Sequence, residues 1–309
     1  MDSPLNGKKL AVIGDPIDHS LSPVIQQAML DALGMDCTYE RIRVPGGSTA
    51  DWLSTAAALG LAGFNATMPH KSDLVPLMDE LSDDARMYRS VNTVVIREGR
   101  FLGFNTDGEG FLRSILEQGI DPEGKSIAVF GAGGAARSVV LKLAATGAKR
   151  ITVCCRSPEK AAELSSASPV IRLAGLSRQS TDAVLAGSDL LINCTPLGMQ
   201  GVGADFEDFS FLDALPASAL VCDLIYRPLK TRLLCEAEKR GHAAMNGLGM
   251  LIHQAILALE HFSGLELDAA AMKAAVMARL LPVLNKENYE KMHHLAVLTI
   301  FNFILQHSH

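Results

Sequence analysis

The stretch Ile127-Ala128-Val129-Phe130-Gly131-Ala132-Gly133-Gly134-Ala135-Ala136 decides the fold of this chain. Four apolar residues lead into a glycine-rich turn, and a helix-like run from Arg137 to Thr146 follows. Strand, tight turn and helix form the context in which such a loop marks a dinucleotide site. The first turn of the helix would offer unpaired backbone N–H groups and a partial positive charge to a pyrophosphate. Gly131 permits the tight turn, Gly133 lets the backbone approach the phosphates, and Ala136 is small enough for close helix–strand packing. Ala132, Gly134 and Ala135 complete the loop. A glycine turn in an ordinary α/β domain would show the same residues, so the loop alone does not establish a cofactor.

The strand after the loop bears on which dinucleotide is bound. A site that prefers NAD usually places an acidic residue about 20 residues on, against the ribose 2′-OH. Here Ile151-Thr152-Val153-Cys154 runs into Cys155-Arg156-Ser157-Pro158-Glu159-Lys160, with no carboxylate at the strand end. Arg156, Ser157 and Lys160 could instead hold a 2′-phosphate through charge-assisted hydrogen bonds. Ser157-Pro158 could also simply cap the following helix, and the two roles are compatible. The expected cofactor is NADP, with NAD as the alternative.

The loop starts at residue 131 of 309, so most of a domain precedes it. This length suits about two domains. Hydrophobic residues make up 48% and charged residues 20%, which favours sizeable cores over disorder. A net charge of −6 without a basic block argues against nucleic acid or an anionic membrane as the main partner. Met1 to Lys9 is polar and lacks the apolar centre of a signal peptide. The longest apolar run, Leu295 to Leu305, is shorter than the roughly 18–20 residues that span a bilayer. Six cysteines without zinc spacing read as reduced thiols of a cytoplasmic protein, with Cys154, Cys194 and Cys222 in predicted strands. No metal site is expected. His293-His294 and His307/His309 have spacings that often arise by accident.

Strand and helix signals alternate along most of the chain. Leu10 to Ile13 reads as a strand ending at Gly14. Ser22 can then cap a helix with Pro23 at its first position. Strands are expected at Tyr39 to Val44 and Gly63 to Asn65, with helices over Asp51 to Leu59 and from near Pro69. Val91 to Ile96 and Phe101 to Phe104 suggest a hairpin around Glu98-Gly99-Arg100. Further strands are expected at 126–130, 150–154, 189–193 and 219–223, and helices at 134–146, 158–166, 177–186 and 230–240. Such alternation implies a parallel sheet covered on both faces. Met250 to Phe262 and Asp268 to Leu281 read as two more helices. Residues 286–309 do not fit the pattern, and their role is open.

Three polar segments fall near strand ends in the first third. Ser20 and Ser22 could bind an anion or cap a helix. Asn65, Thr67 and Lys71 cluster after a short strand, where the lysine could equally be solvated. Asn105-Thr106-Asp107-Gly108 could be an Asx turn with no catalytic role. Taken together with later motifs, they give the chain a specific resemblance. It resembles the shikimate dehydrogenase family, quinate-using relatives included, over about residues 9–282. The residues concerned are Ser-Leu-Ser-Pro at 20–23, Asn-x-Thr-x-Pro-x-Lys at 65–71, Val-Asn-Thr at 91–93 and Asn-Thr-Asp-Gly at 105–108. They continue with Gly-Ala-Gly-Gly-Ala at 131–135, Asn-Cys-Thr-Pro-Leu-Gly-Met at 193–199, and Tyr226-Arg227-Pro228 with Thr231. Gly247-Leu248-Gly249-Met250-Leu251 with Gln254 closes the series.

The resemblance implies NADP-dependent interconversion of 3-dehydroshikimate and shikimate in aromatic amino acid biosynthesis, with hydride passing to and from the substrate C3 carbon. It implies that Lys71 and Asp107 form the catalytic pair. Ser20 and Ser22 would bind the substrate carboxylate. Asn65, Thr67, Asn92, Asp107 and Gln254 would hold ring hydroxyls, with Tyr226 also on the substrate side. Thr195, Gly247 and Met250 would join the glycine loop in binding the cofactor. The implied fold is α/β with two domains. Residues 1–107 and 247–285 would form the substrate domain, and 108–246 a Rossmann-type cofactor domain. A small-molecule substrate is the expected partner, and the protein a monomer or homodimer. Some positions depart from the family pattern. Arg89-Ser90 stands where Gly-Ala is common, and Cys155-Arg156-Ser157 where Asn-Arg-Thr is usual. A quinate or shikimate dehydrogenase using either cofactor is one alternative, and a non-catalytic binding protein on the same fold another. Ser22, where quinate users often have threonine, favours shikimate.

Overall fold

The computed structural model describes residues 5–284, which form two six-stranded sheets. The first contains β1 (Lys8–Gly14), β2 (Cys37–Arg43), β3 (Leu61–Ala66), β4 (Glu80–Leu81), β5 (Thr93–Arg97) and β6 (Arg100–Phe104), in the order β2-β1-β3-β5-β6-β4. Strand β1 pairs parallel with β2 and β3, whereas β5 runs antiparallel to β3 and β6. Parallel neighbours need long crossovers. Helices α1 (Ser22–Ala32) and α2 (Thr49–Ala58) supply them. The β5–β6 connection is a two-residue turn in which Glu98 and Gly99 both have positive φ, 53° and 75°. That geometry matches the twist of the flanking strands. Short helix α3 (Asp83–Tyr88) precedes β5, and α4 (Asp107–Leu116) leaves the sheet after β6.

The second sheet contains β7 (Ser126–Phe130), β8 (Arg150–Cys154), β9 (Ile171–Ala174), β10 (Leu190–Asn193), β11 (Leu220–Asp223) and β12 (Ala243–Met245). All its neighbours are parallel, in the order β12-β11-β10-β7-β8-β9. Counted from β7 this is the 3-2-1-4-5-6 order of doubly wound nucleotide-binding sheets, with its switch point between β7 and β10. Helices α5 (Gly134–Ala145), α6 (Ala162–Ser166), α7 (Arg178–Leu185) and α8 (Arg232–Lys239) connect the strands. Successive strand residues face opposite sides. Ile127 and Val129 accordingly join a core with Val139 and Val140, while Ala128 and Phe130 join another with Phe211 and Leu234. Both faces of β7 are therefore buried, which explains its unbroken apolar run.

Helix α9 (Leu248–Ser263) and a last helix over 269–284 return to the first sheet. Ile252, Ile256, Leu259, Phe262, Val276 and Leu280 share a core with Leu10, Val12, Ile25 and Met29. Met250, in the first turn of α9, packs in the core of the second sheet instead.

Several local expectations need correction. Helix α1 has Leu21 at its cap, and Ser22 makes no capping bond because it is already the first helical residue. The run from Pro69 is a series of turns ending in a short 3₁₀ helix, Val75–Leu77, rather than an α-helix. The Asx turn belongs to Asn105, whose Oδ1 accepts the Asp107 N–H at 3.0 Å, and Asp107 itself begins α4. Ser157 precedes the 3₁₀ helix Pro158–Ala161 without a side-chain cap. Cys194 lies one residue beyond β10. All six cysteines are free thiols. Residues 286–309 and their histidines lie outside the described residues.

Candidate active site

Four polar segments meet at one end of the first sheet. The β1–α1 loop and residues 67–71 follow the carboxyl ends of the adjacent parallel strands β1 and β3. Asn92 enters β5, and Asn105 to Asp107 leave β6, at the same end. Thr67 donates its N–H to Ile13 O at 2.9 Å, and Asp15 donates to Met68 O at 3.0 Å, which ties the first two loops together. Gly14 allows their contact, because a Cβ there would stand 2.5 Å from Thr67 Cγ2.

Lys71 and Asp107 are the central pair. Lys71 Nζ donates to Asp107 Oδ2 at 2.6 Å. The lysine side chain is 23% exposed and the carboxylate 8%, so the pair is largely withdrawn from solvent. The turn that presents Lys71 is pinned on both sides. Its carbonyl accepts from Val91 N–H at 2.8 Å. The preceding residue, His70, is fully buried, with Nε2 2.8 Å from Val44 O and Nδ1 2.8 Å from Thr49 Oγ1. The Val44 carbonyl can only accept, so Nε2 carries a proton, and Nδ1 faces the Thr49 hydroxyl. Asp107 sits in the first turn of α4, where the helix dipole favours a negative charge.

Behind Asp107 lies a buried chain of hydrogen bonds. Asn92 Nδ2 donates to Asp107 Oδ1 and to Thr106 Oγ1, both at 2.9 Å. Its Oδ1 accepts from Thr93 Oγ1 at 2.9 Å and from Thr106 N–H at 3.0 Å. Asn65 Nδ2 donates to Thr93 Oγ1 at 2.9 Å and Asn92 O at 3.1 Å, while its Oδ1 accepts from Tyr39 Oη at 2.7 Å. Burial pushes the Tyr39 phenol well up, so it remains a neutral donor. The amide hydrogens of Asn65 and Asn92 are thus already engaged. Asn92 would have to release one of these bonds to donate to a ligand hydroxyl.

The remaining substrate candidates surround this pair. Ser20 Oγ accepts Ser22 N–H at 3.2 Å. Arg41 Nε donates to Ser20 O at 3.0 Å, and Arg227 donates to His19 O at 2.6 Å. Two guanidiniums therefore press on the serine loop, one of them from the loop after β11. Gln254 reaches the site because α4 and α9 lie close together. A Cβ on Gly110 would stand 2.8 Å from both Cβ and N of Gln254. Gln254 Oε1 is 3.4 Å from Thr106 Oγ1. Thr67 is half-buried, and Tyr226 packs against the core of the first sheet, where burial raises its phenol.

The cofactor candidates lie at the carboxyl ends of the second sheet. Gly131 has φ +95°, a conformation that favours glycine, and its N–H donates to Cys154 O at 2.9 Å. Thr195 Cγ2 would be 3.0 Å from a Cβ at Gly131. Gly133 and Gly134 face open space, and Ala132 is exposed. Helix α5 starts at Gly134 without a side-chain cap, so its first N–H groups are free of side-chain partners. These features fit a bound pyrophosphate. Arg156 and Lys160 are exposed at the end of β8, with Ser157 half-buried between them. Gly247 is needed for packing, since a Cβ there would stand 2.0 Å from Leu224 O. Met250 is only 8% exposed.

Known proteins share this arrangement. Residues 12–94 match the family described as the shikimate dehydrogenase substrate binding domain. Residues 114–198 match shikimate / quinate 5-dehydrogenase, and 247–277 match the shikimate 5′-dehydrogenase C-terminal domain. A shikimate dehydrogenase (NADP(+)) of Symbiobacterium thermophilum is 40% identical over 282 residues, covering 89% of this chain and 95% of the relative. This chain belongs to the shikimate dehydrogenase family. A crystal structure of a family member in complex with NADP+ superimposes with a TM-score of 0.80 at 34% identity, covering 90% of this chain and 98% of that one. A quinate dehydrogenase from Corynebacterium glutamicum, in complex with NAD, gives a TM-score of 0.78 at 31% identity, covering 88% and 99%. The two-sheet α/β fold expected of the family is the one observed.

Within this shikimate dehydrogenase fold, sequence reading overlooked the supports. Tyr39, Thr93 and Thr106 orient the asparagines and Asp107. Thr93 and Thr106 lay inside quoted motifs, whereas Tyr39 looked like an ordinary strand residue. Arg89, visible in the sequence only as a departure from the family pattern, pairs with Glu163 of α6 at 2.7 Å and so bridges the two sheets' helices.

Proposed function

We propose that the protein interconverts 3-dehydroshikimate and shikimate as an NADP-dependent oxidoreductase, with Lys71 and Asp107 as its catalytic pair. The supporting observation is the 2.6 Å Lys71–Asp107 contact at the point where four loops of the first sheet converge. Residues 1–107 with 247–285 would be the substrate unit, and 108–246 the cofactor unit. The bound cofactor supplies or receives the hydride at the substrate carbon. Reduction of a ketone builds negative charge on its oxygen, which the Lys71 ammonium stabilises. Lys71 Nζ then delivers the proton as general acid and recovers it in the oxidising direction. Asp107 Oδ2 fixes that ammonium while Oδ1 stays tied to Asn92.

Ser20 and Ser22 would receive the substrate carboxylate, with the Arg41 and Arg227 guanidiniums favouring an anion beside their loop. Thr67, Gln254 and Tyr226 would contact the ring side. Asn65 and Asn92 would shape this surface through Thr93 and Asp107. Gly131 to Ala135 would hold the pyrophosphate, with Thr195 and Gly247 beside them. Arg156, Ser157 and Lys160 would hold the 2′-phosphate, since no carboxylate at the end of β8 competes for the ribose. Purified protein incubated with shikimate or quinate, and with NADP+ or NAD+, tests this directly through formation of reduced cofactor. Fastest turnover is expected with shikimate and NADP+. Preference for quinate would reassign the substrate, and no turnover with any combination would leave a binding protein.

A further inference from the structure

The mechanism above leaves one buried acid unused. Asp223 ends β11 at the carboxyl edge of the second sheet and is 1% exposed. Its Oδ1 accepts from Asn193 Nδ2 at 3.0 Å and Ile225 N–H at 3.1 Å, and its Oδ2 accepts from Thr231 Oγ1 at 2.7 Å. No ion pair to it occurs among the described residues. The other charge acting on it is Asp205, itself paired with Arg232 at 3.2 Å. The neighbouring thiols of Cys194 and Cys222 are pushed up by burial and remain neutral. Burial pushes the Asp223 carboxyl up to about 6, and its three donors act in the opposite direction. A buried carboxylate without a counter-charge costs stability, so what it holds in place matters.

Each hydrogen-bond donor leads to a different segment. Asn193 turns its Oδ1 to the Thr195 N–H at 3.0 Å and the Thr195 hydroxyl at 2.7 Å. Thr195 in turn abuts the turn at Gly131. Ile225 accepts from Gly247 N–H at 3.1 Å, which fixes the start of α9 against the 224–226 peptide. Thr231 accepts from Leu234 N–H at 3.4 Å and so caps α8. In a sheet of this order, β7 and β8 serve the adenosine half of a dinucleotide, and β10 and β11 the half across the switch point. All of these contacts belong to that second half.

We propose that Asp223 is the positioning residue of the nicotinamide half-site, holding Thr195 through Asn193 on one side and the 224–226 peptide with Gly247 on the other. This rests on the reading that the protein binds NADP at the glycine loop. Asp223 touches no reacting atom. It sets the separation of the walls against which that end of the cofactor lies, and hence its alignment with Lys71.

Calorimetric titration of the full chain with NADP+ and with 2′,5′-ADP separates the halves. The nucleotide diphosphate carries the adenosine half alone. Asp223→Leu should weaken NADP+ about tenfold or more, leave 2′,5′-ADP within about twofold, and lower kcat more than it raises the shikimate KM. Asp223→Asn, which keeps the shape and an acceptor, should recover most of the loss. Equal weakening of both ligands, or unchanged NADP+ binding by folded Asp223→Leu, would overturn the proposal. If that variant does not fold, Asn193→Leu removes its bonds to both Asp223 and Thr195, leaves the Ile225 and Thr231 bonds to Asp223 in place, and should give the same split. Its absence there would be equally decisive. Failure of the wild-type protein to bind either nucleotide would instead refute the cofactor reading itself.

Discussion

Lys71 and Asp107 are 36 positions apart in sequence and 2.6 Å apart through their side chains. Each is fixed from behind, Lys71 by the buried His70 and Asp107 by Asn92. Removing the ammonium should therefore cost chemistry more than binding. Lys71→Ala is expected to lower kcat by about 10²–10⁴ while leaving the Kd for NADP+ within about twofold. Steady-state kinetics with a parallel cofactor titration measure both. Near-normal turnover would remove Lys71 from its assigned role.

The 2′-phosphate reading depends on Arg156. Its loss should weaken NADP+ by about tenfold or more, as expected for a charge-assisted hydrogen bond, and NAD+ by much less. Titrating Arg156→Ala with both cofactors tests this. A uniform loss would show that the guanidinium does not distinguish them.

Acid linkage at Asp223 has a definite sign. Its folded carboxyl is raised from 3.8 to about 6. The folded protein therefore binds this proton more readily than the unfolded chain, so the group's destabilising effect is full above about 6 and fades as pH falls towards the unfolded value. Urea unfolding of wild type and Asp223→Asn from about pH 7 to about pH 4 should show the wild type gaining on the variant by roughly 2–3 kcal/mol at most. A stability difference independent of pH would contradict the raised carboxyl.

Arg89 occupies a left-handed conformation, φ 50°, at the end of α3, where a glycine would sit without strain. Its ion pair with Glu163 is 65% exposed on both sides and belongs to a class worth about 0–1 kcal/mol. Both Arg89→Gly and Arg89→Ala lose that pair, but only glycine relieves the backbone. Thermal unfolding should place Arg89→Gly above Arg89→Ala by about 1 kcal/mol. Equal stabilities would mean that the conformation carries no strain.

Gly110 lets α9 lie against α4 at Gln254. Gly110→Ala puts a methyl group 2.8 Å from the Gln254 backbone and should cost about 1–3 kcal/mol by overpacking. The shift also carries Gln254 away from Thr106, so the shikimate KM should rise more than the NADP+ Kd. The reverse order would place Gln254 outside the substrate site.

The parallel architecture was legible because it is written in local patterns. The run 127–130 is apolar throughout because both faces of β7 are covered, and the glycine loop behind it needs a positive φ at Gly131. Short elements such as α3, β9 and β12 left too few residues for a period to register. The pairing of Lys71 with Asp107 was legible because the motifs at 65–71 and 105–108 present opposite charges at strand ends. Its supports were not, because Tyr39 owes its importance to Asn65, which lies on another strand. Ser22 misled for a simple reason: a serine beside proline resembles a helix cap wherever it stands, and here the helix had already begun.

Helix α9 and the segment after it complete the core begun by β1 and α1, so that Gln26 of α1 donates to Ala255 O across 229 positions. The second sheet is spliced between these halves, with all six of its strands contiguous in the chain. The core of the first sheet is therefore completed only by residues made after every strand of the second. Until α9 is made, Leu10, Ile25 and Met29 lack the Ile252, Ile256 and Leu259 side chains with which they share a core. Apolar surface left open in this way during synthesis is the kind that chaperones shield.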